Sequence, residues 1–186
     1  KSVRLGIKKS LLVVDMPKDT YKTPRQAKKN AKLILQKTGC DAIKIENTNK
    51  NLDIIKFLTK SKINVMGHVG YTPQFKKKFK VEGQTKREIT KLLKEAKLIE
   101  KAGAFSIVLE CLSADSANLI TKKLSIPTIG IGSSKYCDGQ ILVTDDMLGI
   151  SGFYPKFVKK FANLNRVIEN AVKKYTREVK LRKFPI

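Results

Sequence analysis

Short apolar runs recur along this chain, and nearly every one closes on a polar or glycine-rich group before an amphipathic stretch begins. The runs at 11–14, 42–45, 63–66, 105–109, 126–131 and 141–143 are each three to six residues long, and they contain mostly Ile, Val and Leu. Continuous apolar runs of that length fit strands buried on both faces, which is the signature of a parallel sheet. Between them lie stretches with helical periodicity: Ala27, Ala31, Ile34 and Leu35 form one stripe, and Ile89, Leu92, Leu93, Ala96 and Ile99 form another. Repeated strand–helix order demands right-handed crossovers and an α/β architecture.

Local punctuation supports the helices. Thr23-Pro24-Arg25-Gln26 reads as a helix start, with Thr23 as cap, Pro24 in the first turn and Gln26 completing a capping box. Gly39 marks its exit, Gly83 precedes the long helix and Gly103 ends it. Leu52, Ile55 and Leu58 suggest a helix, as does the 114–124 stretch. A closing helix from about Pro155 would carry Phe157, Phe161, Leu164, Ile168, Ala171 and Tyr175 on one face. Six such units form either an open doubly wound sheet or part of a (β/α) barrel, which needs eight.

The 186 residues suffice for one domain with a sizeable core. No run is long enough for a membrane-spanning helix, and 11–14 is too short for a signal peptide core. Cys40, Cys111 and Cys137 show no disulfide framework, so a reducing cytoplasm is expected. A net charge of +23 invites a nucleic-acid partner. However, the lysines are spread over the polar faces of most candidate helices without any recognition motif, which argues against a dedicated binding surface.

The chemistry collects at strand ends. Asp15, Glu46 with Lys44 two positions earlier, His68 and Glu110 each close an apolar run. In a parallel sheet those ends share one rim, so the groups converge. Glu110 is a candidate general base, because partial desolvation raises the proton affinity of a carboxylate; a solvated strand-end acid is the plain alternative. Asp15 and Glu46 suit a hard divalent cation such as Mg²⁺. Lys44 and Glu46 face the same side, which sets a cation beside that site for a substrate carboxylate. Gly130-Ile131-Gly132 lacks the third glycine of a dinucleotide fingerprint and reads as a rim turn.

These strings resemble the ketopantoate hydroxymethyltransferase family: Val14-Asp15-Met16-Pro17, Lys44-Ile45-Glu46, 65–74 from Val65 to Gln74, 103–111 through Glu110-Cys111, Cys137-Asp138-Gly139-Gln140 and Asp146-Met147-Leu148-Gly149. The resemblance implies a (β/α)8 TIM barrel, here as a single domain with about six βα units. It also implies transfer of a hydroxymethyl group from 5,10-methylenetetrahydrofolate to 3-methyl-2-oxobutanoate, giving ketopantoate for pantothenate and coenzyme A synthesis. On that basis Asp15 and Glu46 bind Mg²⁺, while Asp15, Lys44 and His68 contact the keto acid. Glu110 removes the proton at C3 to form a Mg²⁺-stabilised enolate. A homo-oligomer, typically a decamer, is implied as well.

The family's early Gly-Asp-Ser-Leu-Gly segment has no counterpart in residues 1–10, so a barrel lacking its first two units, with little activity by itself, is expected. Lys18-Asp19 stands where the family has Phe-Gly, and Asn47-Thr48 where it has a Gly pair. The competing readings are another Mg²⁺-dependent α-keto acid lyase or aldolase, and an inactive homologue acting as an oligomer scaffold.

Overall fold

The computed structural model describes residues 2–46 and 51–185, which fall into two compact units, 1–140 and 141–186. The first opens with a short helix α1 (Ser2–Gly6) and then alternates strand and helix: β1 (Val13–Asp15), α2 (Pro24–Thr38), β2 (Ala42–Lys44), α3 (Leu52–Lys60), β3 (Val65–Gly70), α4 (Lys86–Lys101), β4 (Ser106–Glu110), α5 (Ala114–Lys123), β5 (Thr128–Ile131) and β6 (Gly139–Gln140). The six strands form one curled sheet in the order β1-β2-β3-β4-β5-β6, every neighbour parallel. Sequential order with parallel pairing is that of a (β/α) barrel and excludes the doubly wound alternative, whose strand order reverses at a switch point.

The helices start where side chains satisfy their free N–H groups. Thr23 accepts from the Gln26 N–H at 3.2 Å to open α2, and Gly39 closes it in the left-handed region at φ 66. The Gln26 amide reaches back to the Lys22 N–H rather than to Thr23, one residue outside a capping box. A complete capping box opens α4, where Thr85 and Glu88 each accept from the other's backbone N–H. Ala27 and Ala31 of α2, Ile54, Ile55 and Leu58 of α3, Leu92, Ala96 and Ile99 of α4, and Ala117 and Ile120 of α5 meet Ile43, Val65, Ile107 and Leu109 of the sheet in one core.

Three boundaries differ from the sequence reading. The third strand is Val65–Gly70 rather than 63–66, so the Gly67-His68-Val69-Gly70 string lies inside the sheet, paired with β4 from Met66↔Ser106 to Gly70↔Glu110. Gly67 is there for close approach and not for a turn, since a Cβ would collide with the Ile99 side chain of α4. The sixth strand is Gly139–Gln140, not 141–143, and residues 132–138 reach it without an intervening helix. Its register is set by Asp138, whose Oδ2 accepts from the Thr128 N–H at 2.8 Å and the Thr128 hydroxyl at 2.9 Å. Ile141 and Val143 are half exposed and belong to the second unit.

That second unit holds α6 (Thr144–Leu148) and α7 (Leu164–Lys180). The closing helix begins at Leu164 and not near Pro155, because Asn163 turns its side chain onto the Arg166 N–H and caps the helix there. Phe157 precedes it in a turn in which Val158 N–H donates to the Pro155 carbonyl, and Phe161 N–H donates to the Met147 carbonyl at 2.9 Å. No described helix is long and apolar enough to cross a membrane.

Candidate active site

Parallel register brings the ends of β1 to β4 to one rim, with Asp15 beside Lys44 in the β1–β2 pairing and Gly70 beside Glu110 in the β3–β4 pairing. Side chains complete what the register begins. The Lys44 ammonium lies 2.8 Å from Asp15 Oδ2 and 3.4 Å from His68 Nδ1. His68 Nε2 lies 3.3 Å from Glu110 Oε2. Four of the five predicted site residues therefore form one polar chain across four strands, Asp15–Lys44–His68–Glu110.

The direction of that chain follows from donor chemistry. An ammonium only donates, so Lys44 faces an unprotonated Nδ1 and the imidazole proton resides on Nε2. Burial pushes the His68 pKa down, and Lys44 adds to this, while the contact with Glu110 opposes it. His68 is thus a neutral ring, almost fully buried, with its N–H on the Glu110 side. The angle is too poor for a hydrogen bond even at 3.3 Å, which leaves Nε2 without a partner. A buried donor without a partner beside a carboxylate marks a place where a polar substrate atom gains two contacts on entry.

Glu46, the fifth residue, leaves this chain and turns inward. It is 1% exposed, and its Oε2 accepts from the Gln74 N–H at 3.1 Å. Its carboxyl is pushed up to about 7, chiefly by burial and further by Asp15 and Glu110, against the pull of Lys44 and Gln74. The neighbouring Asn47 and Thr48 lie outside the described residues. Asp19 occupies the left-handed region at φ 70 and pairs with Lys22 at 3.1 Å. Aspartate tolerates that conformation better than most residues, so the loop after Asp15 keeps its turn.

Among the described residues no three His, Cys, Asp or Glu side chains converge as a closed metal cage. Mg²⁺ does not need one, because it keeps several waters and takes one or two carboxylates plus substrate oxygens. Asp15 and Glu46 are that kind of donor set, and the raised proton affinity of Glu46 is what a divalent charge would relieve. In the folded chain Glu46 holds its proton more tightly than when unfolded, so its contribution to stability is full below about pH 4 and lost as pH rises through about 7. The melting temperature of the metal-free protein should therefore fall between about pH 5 and pH 8 more steeply than that of Glu46→Gln, whose amide does not titrate. Equal slopes for the two proteins would remove Glu46 as the source. Added Mg²⁺ should restore the unsubstituted protein at the upper pH and leave Glu46→Gln unmoved.

Sequence reasoning missed Gln74 and Tyr21. The Tyr21 hydroxyl donates to Gln74 Oε1 at 2.6 Å, and Gln74 Nε2 donates to the Met16 carbonyl at 3.0 Å. Burial, with Glu46 and Asp15 nearby, pushes the phenol well above its ordinary range, so it stays a donor. Cys111, beside Glu110, is likewise pushed up to about 12 by burial and the adjacent carboxylate, which leaves it a thiol. A cleft of about 380 Å³ lies elsewhere, lined by Val69, Thr72, Phe75, Lys76, Glu82 and Glu95, and includes none of the five predicted residues.

Known proteins share this chain throughout its length. It is 50% identical over 185 residues to the 3-methyl-2-oxobutanoate hydroxymethyltransferase of Pelagibacter ubique (strain HTCC1062), covering 100% of this chain and 72% of that one. The enzymes of the same name from Anaplasma marginale (strain Florida) and Trichodesmium erythraeum (strain IMS101) are 49% and 47% identical, again over all of this chain and over 68% and 72% of theirs. Among solved structures, the carboxyl transferase domain of Rhizobium etli pyruvate carboxylase matches with TM-score 0.51 at 16% identity, over 69% of this chain and 24% of that one. A lyase/mutase described as putative, from Burkholderia cenocepacia J2315, matches with TM-score 0.51 at 10% identity, over 94% of this chain and 62% of that one. Those two likenesses speak to the fold alone. The profile of ketopantoate hydroxymethyltransferase matches residues 1–186, and with relatives near half identity the chain belongs to that family.

Proposed function

We propose that this protein transfers a hydroxymethyl group from 5,10-methylenetetrahydrofolate to 3-methyl-2-oxobutanoate, forming ketopantoate for pantothenate synthesis. The observation that carries the reading is the Asp15–Lys44–His68–Glu110 chain at the rim of a parallel sheet, in a chain of this family. Lys44 supplies a fixed positive charge for the substrate carboxylate. The Nε2–H of His68 donates to the entering keto acid and holds it against Glu110. Glu110 accepts the C3 proton, and the electron pair left behind attacks the methylene carbon of the folate. One of the two carbon–nitrogen bonds that hold this methylene breaks as the carbon–carbon bond forms, and the other breaks as water supplies the hydroxyl. The freed nitrogens take the proton from Glu110 and the remaining proton of the water, so the folate leaves as tetrahydrofolate. Mg²⁺ held by Asp15 and Glu46, when bound, supplies Lewis-acid polarisation of the keto group. A cytoplasmic homo-oligomer belongs to the same reading; the three free, buried cysteines support the compartment.

A substrate panel tests it. With Mg²⁺ and methylenetetrahydrofolate present, 3-methyl-2-oxobutanoate should be consumed with stoichiometric release of ketopantoate and tetrahydrofolate. Turnover of oxaloacetate or phosphoenolpyruvate in its place would reassign the site to lyase chemistry.

A further inference from the structure

Gln74 lies in the loop after β3, yet it is bonded to the ends of two other strands. Its backbone N–H donates to Glu46 Oε2 at 3.1 Å. Its side-chain Nε2 donates at 3.0 Å to the carbonyl of Met16, the fully buried residue that follows Asp15. Its Oε1 accepts the Tyr21 hydroxyl at 2.6 Å. The loop reaches this position already organised. Phe75 and Lys76 both turn their N–H groups onto the Thr72 carbonyl at 2.9 Å, and the Lys76 ammonium spans the Gly70 carbonyl at 2.7 Å and Glu82 Oε1 at 2.8 Å.

We infer that Gln74 is a positioning residue that sets the separation of the Asp15 and Glu46 carboxylates, and through it the grip on a divalent cation and on the keto acid. This rests on the cation reading above. The amide is suited to the task because it donates at one atom and accepts at the other, which an ionised glutamate cannot do. The hydrogen bond to Glu46 comes from the backbone and not from the side chain. The side chain anchors the loop to the end of β1, and the anchored loop presents its N–H to the carboxylate. Loss of partners of this kind, one bond removed from a metal ligand, commonly weakens metal affinity by about 10- to 100-fold.

Mn²⁺ serves as the probe, with affinity read by electron paramagnetic resonance on the unsubstituted protein, Asp15→Asn, Gln74→Met, Gln74→Glu and Tyr21→Phe. Gln74→Met and Gln74→Glu should weaken Mn²⁺ binding by about 10- to 100-fold, and Tyr21→Phe by less, since it leaves the Met16 bond in place. The KM for 3-methyl-2-oxobutanoate should rise with the same ranking, while kcat at saturating keto acid and metal changes less. Metal-free melting curves identify any variant that fails to fold, and Tyr21→Phe decides the matter if Gln74→Met does. No Mn²⁺ binding by the unsubstituted protein overturns the cation reading and this inference together. Binding lost in Asp15→Asn but unchanged in folded Gln74→Met, or in Tyr21→Phe if that variant must decide, overturns the inference alone.

Discussion

Glu110→Gln should lower turnover by about 10²- to 10⁴-fold, the range a positioned general base contributes, while the protein stays folded. The amide keeps the size and reach of the carboxylate at the end of β4, so packing among Leu109, Leu112 and the sheet is undisturbed. What it lacks is a lone pair basic enough to take a proton from carbon. Solvent-exchange measurement isolates that step: in deuterated water without folate, the C3 proton of 3-methyl-2-oxobutanoate should exchange in the unsubstituted protein and not in Glu110→Gln. His68→Gln should retain part of the exchange, because in the proposed reaction His68 orients the reacting pair without itself removing the proton. If Glu110→Gln exchanges C3 at the unsubstituted rate, the base is another group and the polar chain has been read in the wrong direction.

Much of the site was legible in the sequence because its residues close apolar runs. Asp15, Lys44 and Glu110 end or flank strands whose apolar content already implied parallel pairing, and parallel strands in sequence order carry their ends to one rim. Helices α2, α4 and α5 were legible for a similar local reason, in that their periodic stripes and caps lie within one or two turns of chain. The misreadings share a cause. The apolar run at 63–66 gives way to Gly67, yet the strand runs on to Gly70, because its glycines admit Ile99 and pack against Glu110, contacts made with elements more than thirty residues away. Ile141 and Val143 have strand propensity but pair with no strand among the described residues and stay half exposed, and propensity yields to context in sheets. Gln74 left no signature for the same reason, since its partners Glu46, Tyr21 and Met16 are 28, 53 and 58 residues distant.

Gly70→Ala is the substitution expected to damage fold and site at once. Gly70 ends β3 at φ 98, a conformation that L side chains rarely adopt, and holding a residue there costs on the order of 1–3 kcal/mol. A Cβ at this position would also collide with the Glu110 carbonyl oxygen and lie 2.8 Å from Leu112 Cδ2. Overpacking of that sort costs about 1–3 kcal/mol more. The clash cannot be relieved by a rotamer change because the obstructing atom is backbone. Relief therefore comes from parting β3 from β4 where Tyr71 N–H bonds the Glu110 carbonyl at 2.9 Å. For a protein of this size the combined strain of about 2–6 kcal/mol should lower the melting temperature by about 4–24 °C. Separation of the two strand ends also lengthens the His68–Glu110 contact, so kcat should fall at temperatures where the variant is still fully folded. A Gly67→Ala control collides with the Ile99 side chain on α4 instead of with the Glu110 carbonyl, and should lose stability with a smaller loss of kcat. Equal loss of activity per degree of melting temperature in the two variants would mean that general instability, and not displacement of Glu110, accounts for the effect at Gly70.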